Sequence, residues 1–348
     1  MPSPQNDTGR RSATMRDVAT VAGVGLATVS RVVNGKPGVT PDLAERVTRA
    51  AELLGYRHDL TASSLRRADR RTHTLGLVLE DAANPFSAAL HRAVEDAAAD
   101  RGVLVLAAST DEDPVRERGL LKTFTARRVD GLIVVPTGQT DTEIDAACRG
   151  GTPVVCVDRP TTVPHVDTVT VDNRAGVRAA VKALQAGGHL RIAFLGDLPA
   201  IWTAEERYAG FVEGLAEEGC ILHPSLVRRG LHGAEAAQEA ARELLALPEP
   251  PTALVSGQNL LTVGIRRTLQ ELRLQYHVAL VGFDDLPLAD LLEPGVSVIA
   301  QDPVAIGREA AALLFDRLDG ERGPARHRVL ATRYLARGSG ELGAAVDS

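Results

Sequence analysis

The chain has 348 residues and a formal net charge of −6, and its length predicts two or three domains. Its cysteines, Cys148, Cys156 and Cys220, are widely spaced and odd in number, which excludes a disulfide framework and a CxxC metal site. The N-terminus lacks an apolar signal core and no apolar segment has the length of a membrane span, so we expect a cytoplasmic protein.

The charge is distributed unevenly along the chain. Residues 1–75 contain 12 Lys and Arg against 7 Asp and Glu, and residues 76–348 contain 27 against 38. A basic N-terminal unit joined to an acidic body concentrates the attraction for phosphate at one end of the chain. Residues 1–13 are polar and are predicted to be disordered.

The first predicted elements are two short helices joined by a glycine turn. Thr14 and Asp17 have the spacing of a capping box, which predicts a helix start near Met15. Gly23 permits a sharp turn because glycine tolerates a positive φ. A second helix is predicted over about 26–34, where an Asn-Gly pair ends it.

The second helix is predicted to bury Val29, Val32 and Val33. Its outward residues are Leu26, Ala27, Ser30 and Arg31. A third helix is predicted from Pro41 to about Leu54, because a threonine followed by proline is a strong helix start. Three helices around one apolar core, with an Arg-bearing second helix, indicate a helix-turn-helix whose second helix enters the DNA major groove.

A linker follows the third helix. Residues 56–65 can form one or two helical turns, and residues 66–71 contain four arginines. Such a run can be a solvated tether, but it directly follows a DNA-binding unit, so we expect it to contact phosphates.

From Thr74 onward, short apolar runs alternate with helix-sized stretches. The runs lie at 75–79, 103–107, 131–135, 153–157, 191–195, 252–256 and 278–283. Continuous apolar strands that alternate with helices predict parallel sheets covered on both faces, and the length of the body predicts two sheets.

Parallel sheets of this kind bind ligands beyond the carboxyl ends of their strands. The residues at those ends are Asp81, Asn84, Phe86, Asp158, Arg159, Gly196, Asp197, Gln258, Asn259, Asp284 and Asp285. Asp, Asn and Arg suit a hydroxyl-rich ligand, although each such residue can also be an ordinary turn or capping residue.

The chain resembles the LacI family of bacterial transcription regulators from residue 14 to about residue 340. The motifs that carry the resemblance are the block 17–34, Asn84-Pro85-Phe86, Arg128-Val129-Asp130-Gly131, Val157-Asp158-Arg159, Val171-Asp172-Asn173, Gly188-His189, Arg191-Ile192, Glu206-Arg207, Gly210-Phe211, residues 281–285 and Arg337-Gly338-Ser339. Their order and spacing match the family.

The resemblance implies a small all-α helix-turn-helix headpiece with a hinge helix, and an α/β body of two Rossmann-like, doubly wound parallel-sheet subdomains. Three crossovers are expected to link these subdomains. The implied boundaries are 14–55 for the headpiece, 56–73 for the hinge helix and basic linker, 74–340 for the effector-binding and dimerisation domain, and 341–348 for a tail. The N-subdomain is expected at 74–171 and 296–321, and the C-subdomain at 172–295 and 322–340.

The resemblance also implies how the DNA is contacted. Family members read bases at the positions of Leu26, Ala27 and Arg31, and an arginine can bridge O6 and N7 of guanine. Leu65 matches the hinge leucine that wedges into the minor groove. The predicted DNA contacts are Leu26, Ala27, Thr28, Ser30, Arg31, Asn34, Tyr56, Ala62, Leu65, Arg66 and Arg67.

The effector site is implied in the same way. Arg207 and Asp284 match positions that hold hydroxyls or heteroatoms of the effector, and Ser87 stands where many members carry an aromatic ring. Trp202 could supply a ring face, or it could be a surface loop residue. The predicted effector contacts are Asp81, Phe86, Ser87, Asp158, Arg159, Trp202, Thr203, Arg207, Asn259 and Asp284.

The sequence predicts no catalytic residues, no metal site and no cofactor. The loops after Leu79 and Val135 lack GxGxxG, no Ser-His-Asp set appears, and the histidines lack metal-ligand spacing; the resemblance implies that His189 is structural. We therefore expect a homodimeric repressor that binds a near-palindromic DNA operator and responds to a small-molecule effector, a sugar. The alternatives are a corepressor-dependent repressor or activator that binds a nucleobase or sugar phosphate and, more distantly, a non-regulatory sugar-binding protein.

Overall fold

The computed structural model describes residues 13–33, 37–56, 71–217 and 219–344. The chain forms two compact units, residues 1–72 and residues 73–348. The predictions for residues 1–12, Asn34 and 57–70, which include the hinge helix and most of the basic run, lie outside the described residues. Within the described ranges, no helix is long and apolar enough to cross a membrane.

The first unit contains helices α1 (Met15–Ala22), α2 (Leu26–Val33) and α3 (Pro41–Leu54). The predicted capping box is present: the Thr14 hydroxyl accepts from the Asp17 backbone N–H, and Asp17 Oδ2 accepts from the Thr14 backbone N–H at 2.8 Å. Gly23 has a φ of 62°, which confirms the predicted turn.

One apolar core joins the three helices. Val18, Val29 and Val47 are fully buried at its centre. Val32 and Val33, which we predicted to be buried with Val29, are only half-buried and pack against the edge of this core. A core this small leaves the outer side of α2 uncovered within this unit.

The second unit contains two six-stranded sheets. The first has the order β11-β5-β4-β3-β1-β2, with all its pairs parallel. Its strands are β1 (Thr74–Leu79), β2 (Leu104–Ser109), β3 (Gly131–Val134), β4 (Val154–Val157), β5 (Asp167–Val171) and β11 (His327–Leu330).

The second sheet has the order β12-β10-β9-β8-β6-β7, and only the pair β10–β12 in it is antiparallel. Its strands are β6 (Ile192–Leu195), β7 (Val227–Arg228), β8 (Ala253–Ser256), β9 (Ala279–Phe283), β10 (Ser297–Ala300) and β12 (Arg333–Leu335). The headpiece and two parallel-sheet subdomains confirm the predicted fold class.

Helices cover the sheets, as the alternating pattern predicted. They are α4 (Pro85–Ala99), α5 (Pro114–Ala126), α6 (Asp141–Arg149), α7 (Asn173–Ala186), α8 (Trp202–Glu217), α9 (Gly233–Leu245), α10 (Asn259–Glu271) and α11 (Pro303–Leu318). We call the subdomain built on the first sheet the first lobe and the other the second lobe.

The chain crosses between the lobes after Val171, after Ala300 and after Leu330. The first crossing lies at the predicted boundary, but the other two differ from the predicted positions near 296 and 322. Ser297–Ala300 pairs with β9 in the second lobe, and His327–Leu330 pairs with β5 in the first lobe. Each crossing follows the end of a strand. Because β10 and β11 were not recognised in the sequence, the second and third crossings were predicted too early in the chain.

Asp167 ties β5 to the end of α11. Its carboxylate accepts hydrogen bonds from Arg317 at 2.7 and 2.9 Å, and from the side chain and backbone of Arg326 at 2.8 Å. Burial opposes its ionisation, but these hydrogen bonds outweigh burial and lower the pKa of Asp167 to about 2. The first sheet and its covering helix therefore depend on a charged carboxylate.

The substitution Asp167→Asn should destabilise the protein by about 3 kcal/mol at neutral pH, because it leaves two arginines without their carboxylate. The loss should shrink as the pH falls through the range from 4 to 2, where the wild-type carboxylate itself becomes protonated. Urea unfolding at several pH values measures this. Asp316→Asn is the matched control, since exposed Asp316 binds the same Arg326; equal losses in both variants would contradict the special role of Asp167.

Candidate functional site

The outer face of α2 carries the residues that we predicted to meet DNA. Leu26, Ala27 and Arg31 are exposed, and Thr28 and Ser30 are half-buried along its flank. The three exposed side chains can enter a groove together. Such a face offers one forked donor group and two apolar contacts.

Hydrogen bonds to backbone carbonyls hold α2 in place within the first unit. The Gly25 carbonyl accepts from the N–H groups of Thr28 and Val29 at 2.9 and 3.2 Å, which starts the helix. Arg46 Nη2 donates to the Ala22 carbonyl at 2.6 Å and closes the end of α1. These bonds define the angle of the turn, and so the direction in which α2 presents its face.

Tyr56, another predicted DNA contact, packs against the apolar core of the first unit. Its backbone N–H donates to the Ala51 carbonyl at 2.8 Å. Part of the Tyr56 ring is therefore occupied by packing. The remaining predicted contacts, Asn34, Ala62, Leu65, Arg66 and Arg67, lie outside the described residues and stay predictions.

A polar cleft with a free cavity volume of about 30 Å³ lies between the two lobes of the second unit. Residues that follow strands of both sheets line it, as expected for parallel sheets. The lining residues are Glu80, Asn84, Phe86, Asp158, Arg159, Asp197, Ile201, Thr203, Ala204, Arg207, Gly257, Gln258, Asp284 and Gln301.

The structure brings six of the ten predicted effector residues to this cleft. They are Phe86, Asp158, Arg159, Thr203, Arg207 and Asp284. Their roles in binding stay predictions, but their shared position supports treating the cleft as the ligand site.

Four predicted residues do not line the cleft. Asp81 caps a turn, accepting from the Ala83 backbone N–H at 2.8 Å. Ser87 is fully buried inside α4, and Trp202 is half-buried at the start of α8, beside the lining residue Thr203. Asn259 is also fully buried, and it makes a hydrogen bond between the lobes instead.

That hydrogen bond joins the N-cap residue of α4 to the first residue of α10, in opposite lobes. Asn259 Nδ2 donates to Asn84 Oδ1 at 2.8 Å, and both side chains are buried. Asn84 Oδ1 also accepts from the Phe86 backbone N–H and caps α4. The pair is a direct latch across the cleft that needs no ligand.

Two aspartates at the strand ends have a backbone conformation that is uncommon for them. Asp158 has a φ of 66° after β4, and Asp284 has a φ of 68° after β9. Burial raises the pKa of both carboxyls. At Asp158 the rise is opposed first by Arg159, whose Nε lies 3.4 Å from Asp158 Oδ2, and then by Arg207; at Asp284 it is opposed by Arg207. Left-handed backbone outside glycine is concentrated at functional sites, which supports a binding role for both residues.

Arg207 is near enough to both aspartates to favour their charged forms, and its own position is held by several contacts. Its Nε donates to Asn173 Oδ1 at 2.8 Å, and its Nη1 donates to the Gly257 carbonyl at 2.9 Å. Its guanidinium lies 3.7 Å from the centre of the Phe283 ring. The group is thus oriented before any ligand arrives.

Arg159 is engaged by a carboxylate that we did not predict. Its Nη1 and Nη2 donate to the two oxygens of Glu112 at 2.7 and 2.5 Å, a bidentate pair. Both side chains are nearly buried. Arg159 therefore already has a negative partner within the protein.

The carboxyl group of Glu80 is also perturbed by its surroundings in the cleft. Burial raises its pKa to about 8; the charge of Arg159 works against the rise, and Glu112, Asp158 and Asp197 add to it. Glu80 is therefore largely protonated at neutral pH.

His189 has a structural role, as expected. It is fully buried, its Nδ1 lies 2.9 Å from the Thr252 hydroxyl, and its Nε2 lies 2.7 Å from the Leu342 carbonyl. Cys156 is buried as a small apolar residue in β4. The described part of the chain contains no group of three or more His, Cys, Asp or Glu placed to hold a metal ion.

Sequence reasoning missed Glu80, Glu112 and Gln301 as cleft residues or partners. Glu80 directly follows β1, so its position at a strand end was a signal that could have been used. Gln301 follows β10, a strand that was not recognised. Glu112 precedes α5, far along the chain from Arg159, and no spacing rule pairs them.

The variant Glu80→Gln should become progressively more stable than the wild type as the pH rises from about 4.5 to about 8. In this window the unfolded chain has lost the Glu80 proton and the folded chain retains it, so the wild type loses stability that the glutamine variant keeps. The gain should reach the order of a few kcal/mol and level off above pH 8.

Urea unfolding followed by the fluorescence of Trp202, the single tryptophan, measures this gain. Glu239→Gln, on an exposed face of α9, is the control and should show no such trend. If the free energies of unfolding of Glu80→Gln and the wild type differ by a constant amount across this pH range, Glu80 ionises as a solvated carboxyl does.

Comparison with known proteins matches both units to described families. Residues 14–59 match the bacterial regulatory proteins of the lacI family, and residues 181–340 match the periplasmic binding protein-like domain. The transcriptional regulator CelR of Thermobifida fusca is 33% identical over 340 residues, which cover 95% of this chain and 99% of CelR. The regulator PtxS of Pseudomonas plecoglossicida is 33% identical over 335 residues, covering 95% and 96%.

Solved structures agree with these matches. A CelR–cellobiose complex superposes with a TM-score of 0.70 at 32% identity, covering 94% of this chain and 99% of that chain. A lac repressor dimer bound to operator superposes with a TM-score of 0.80 at 22% identity, covering 95% and 99%, which shows the shared fold. The chain belongs to the LacI family of bacterial regulatory proteins and is a DNA-binding transcriptional regulator.

Proposed function

We propose that the protein is a repressor whose affinity for its operator is changed by a sugar bound in the cleft between the lobes. The observation that carries the proposal is the arrangement of that cleft, in which strand-end polar residues of both sheets meet around an oriented Arg207. A ligand that contacts both lobes can couple its binding to their relative position.

In this proposal α2 is the helix that binds the operator DNA. Leu26, Ala27 and Arg31 form the base-reading face, and Thr28 and Ser30 position it on the phosphates. We propose that the protein acts as a homodimer on a near-palindromic operator, because a two-fold dimer requires symmetric half-sites. The lac repressor relative is described as a dimer bound to operator. We propose that it acts in the bacterial cytoplasm, where its operator DNA would lie.

The hydrogen-bonding groups of the cleft support a sugar as the effector. Asp158 and Asp284 accept hydrogen bonds, and Arg207 donates them, which together suit vicinal hydroxyls. The CelR relative is described in complex with cellobiose, which supports a sugar. We propose a binding protein rather than an enzyme, because these groups are arranged to hold a ligand and its relatives CelR and PtxS are named as transcriptional regulators.

The proposed mechanism is a shift between two populations. The sugar binds one arrangement of the lobes more tightly, and that arrangement changes the spacing of the two headpieces through the predicted hinge. The shift cannot exceed the difference in affinity of the sugar for the two arrangements. A sugar that strengthens operator binding instead of weakening it would make the protein corepressor-dependent.

Replacement of Arg31 tests the base-reading face. Arg31→Ala should lose specific binding to a symmetric operator selected from random DNA, by about 1–3 kcal/mol per half-site, and should keep most non-specific binding. Arg31→Lys is the matched variant: it keeps the charge but loses the forked donor, so it should lose specificity too. Equal losses on operator and random DNA, measured by fluorescence anisotropy, would contradict base reading by Arg31.

Replacement of Asp284 tests the cleft. Asp284→Asn should abolish the change in operator affinity that the sugar causes, because it removes the negative acceptor beside Arg207. The readout is operator anisotropy with and without the sugar that stabilises the wild type. Asp290→Asn, outside the cleft lining, is the control. A full response in the Asp284 variant would remove this residue from the site.

A further inference from the structure

The turn that joins β2 to α5 brings the carboxylate of Glu112 to an arginine of the cleft. Asp111 and Glu112 both have left-handed backbone in this turn, with φ of 52° and 57°. This conformation is uncommon outside glycine and costs free energy. The Asp111 backbone N–H donates to the Glu80 carbonyl at 2.8 Å, which ties the turn to the end of β1. The fold therefore places Glu112 beside the cleft at the expense of its backbone.

Glu112 takes up the terminal nitrogens of Arg159. Nη1 and Nη2 donate to its two oxygens at 2.7 and 2.5 Å, and the side chains of Arg159 and Glu112 are only 5% and 11% exposed. Nη1 also donates to the Pro136 carbonyl at 3.3 Å. A carboxylate or phosphate typically binds an arginine through two adjacent nitrogens of this kind. Glu112 therefore occupies the position that an anionic group of a ligand would take.

Arg159 keeps one buried donor for a ligand. Its Nε lies 3.4 Å from Asp158 Oδ2 and makes no hydrogen bond within the ranges that the structure describes. Because Arg159 lines the cleft, an oxygen of a ligand can accept from this N–H. A hydroxyl oxygen accepts such a bond without bringing a negative charge that would need a second cation. Arg159 is thus prepared for a hydroxyl group.

The second arginine of the lining does not replace the first as an anion-binding group. Arg207 Nε donates to Asn173 Oδ1 at 2.8 Å, and its Nη1 donates to the Gly257 carbonyl at 2.9 Å. Among the described residues, only the Nη2 nitrogen of this guanidinium has no hydrogen-bond partner. Two-point binding of an anion uses two nitrogens, and here one of any adjacent pair already donates.

We propose that Glu112 determines the ligand specificity of the cleft: by occupying Arg159, it excludes sugars that carry a carboxylate or phosphate and leaves the cleft selective for uncharged sugars. This inference rests on the proposed sugar-responsive function and specifies the class of its ligand. An anionic group could bind the terminal nitrogens of Arg159 only by displacing Glu112. That displacement would leave a nearly buried carboxylate without its partner, which is strongly unfavourable.

A purely structural pair would behave differently. If Glu112 only fixed the turn before α5, its loss would disturb the cleft in general and weaken charged and uncharged sugars by the same factor. If Glu112 occupies an anion position, its loss changes the ratio of the two affinities, because a ligand anion can then take its place. The ratio is therefore the quantity to measure.

Calorimetry on the full-length protein with matched sugars measures this ratio. The probes are cellobiose, glucose, galactose and mannose, together with the uronate, 1-phosphate and 6-phosphate of each monosaccharide, which carry the charge at either end of the ring. The wild type should bind an uncharged sugar, and should bind the charged derivatives of that sugar, or of its monosaccharide unit, at least tenfold more weakly. Glu112→Gln should raise the affinity of a charged derivative, relative to the uncharged sugar, at least tenfold.

Two further variants serve as controls. Glu112→Asp keeps a carboxylate in the turn, so it should retain most of the discrimination against charged sugars. Asp111→Asn removes the neighbouring carboxylate of the same turn, which is exposed and pairs with Arg116. This variant should discriminate as the wild type does. The temperature of unfolding shows whether each variant is folded.

Acetate provides a test that needs no sugar. Glu112→Ala removes the carboxylate and leaves room beside Arg159, so acetate should bind there and raise the unfolding temperature of this variant. Sodium chloride at the same ionic strength is the reference for a general effect of salt. Neither the wild type nor Asp111→Asn should gain stability from acetate over chloride.

The outcomes separate the two claims. A wild type that binds a charged derivative as tightly as its uncharged parent overturns the role of Glu112 and leaves the sugar-responsive function standing. Equal weakening of all sugars by Glu112→Gln, or a Glu112→Ala variant that is folded but not stabilised by acetate, also overturns that role. A folded wild type that responds to no sugar contradicts the sugar-responsive function, and the acetate result then decides whether Glu112 occupies an anion position.

Discussion

The direction of the strands is the constraint on which the rest of the structure depends. Nearly every strand of both sheets is parallel, so the carboxyl ends of each sheet lie at one edge, and the two edges face one cleft. Asp158 and Asp284 leave their strands with the same left-handed backbone, one in each lobe. The site therefore follows from the repetition of one strand-and-helix arrangement, with Arg207 shared between the two aspartates.

Charge pairing within the protein decides what the cleft can offer to a ligand. Arg159 was predicted to contact the ligand, because it follows the end of a strand and matches a family motif. In the folded chain Glu112 binds it in a bidentate manner, and burial of both side chains makes this pair costly to break. The engagement of Arg159 is thus a property of the fold, since its partner Glu112 lies 47 residues away in the chain.

The sequence was sufficient for the elements with strong local signals. The capping box at Thr14, the turn at Gly23 and seven apolar strands were predicted correctly. It was insufficient for β5 and β11, whose residues alternate or are exposed, and for β10; the second and third crossings were displaced as a result. The cleft lining was predicted in part, because position at a strand end identifies candidates but cannot reveal pairs such as Asn84 with Asn259.

The latch between Asn84 and Asn259 bears on how a ligand can act. It joins the lobes by a buried hydrogen bond with no ligand present, so closure of the cleft does not by itself require an effector. A ligand that only filled space would bind the closed arrangement and change little else. A ligand that contacts residues of both lobes, such as Asp158 and Asp284, gains affinity in the arrangement that brings these residues together. Such a difference in affinity is what a regulator needs to convert binding into a change at the DNA.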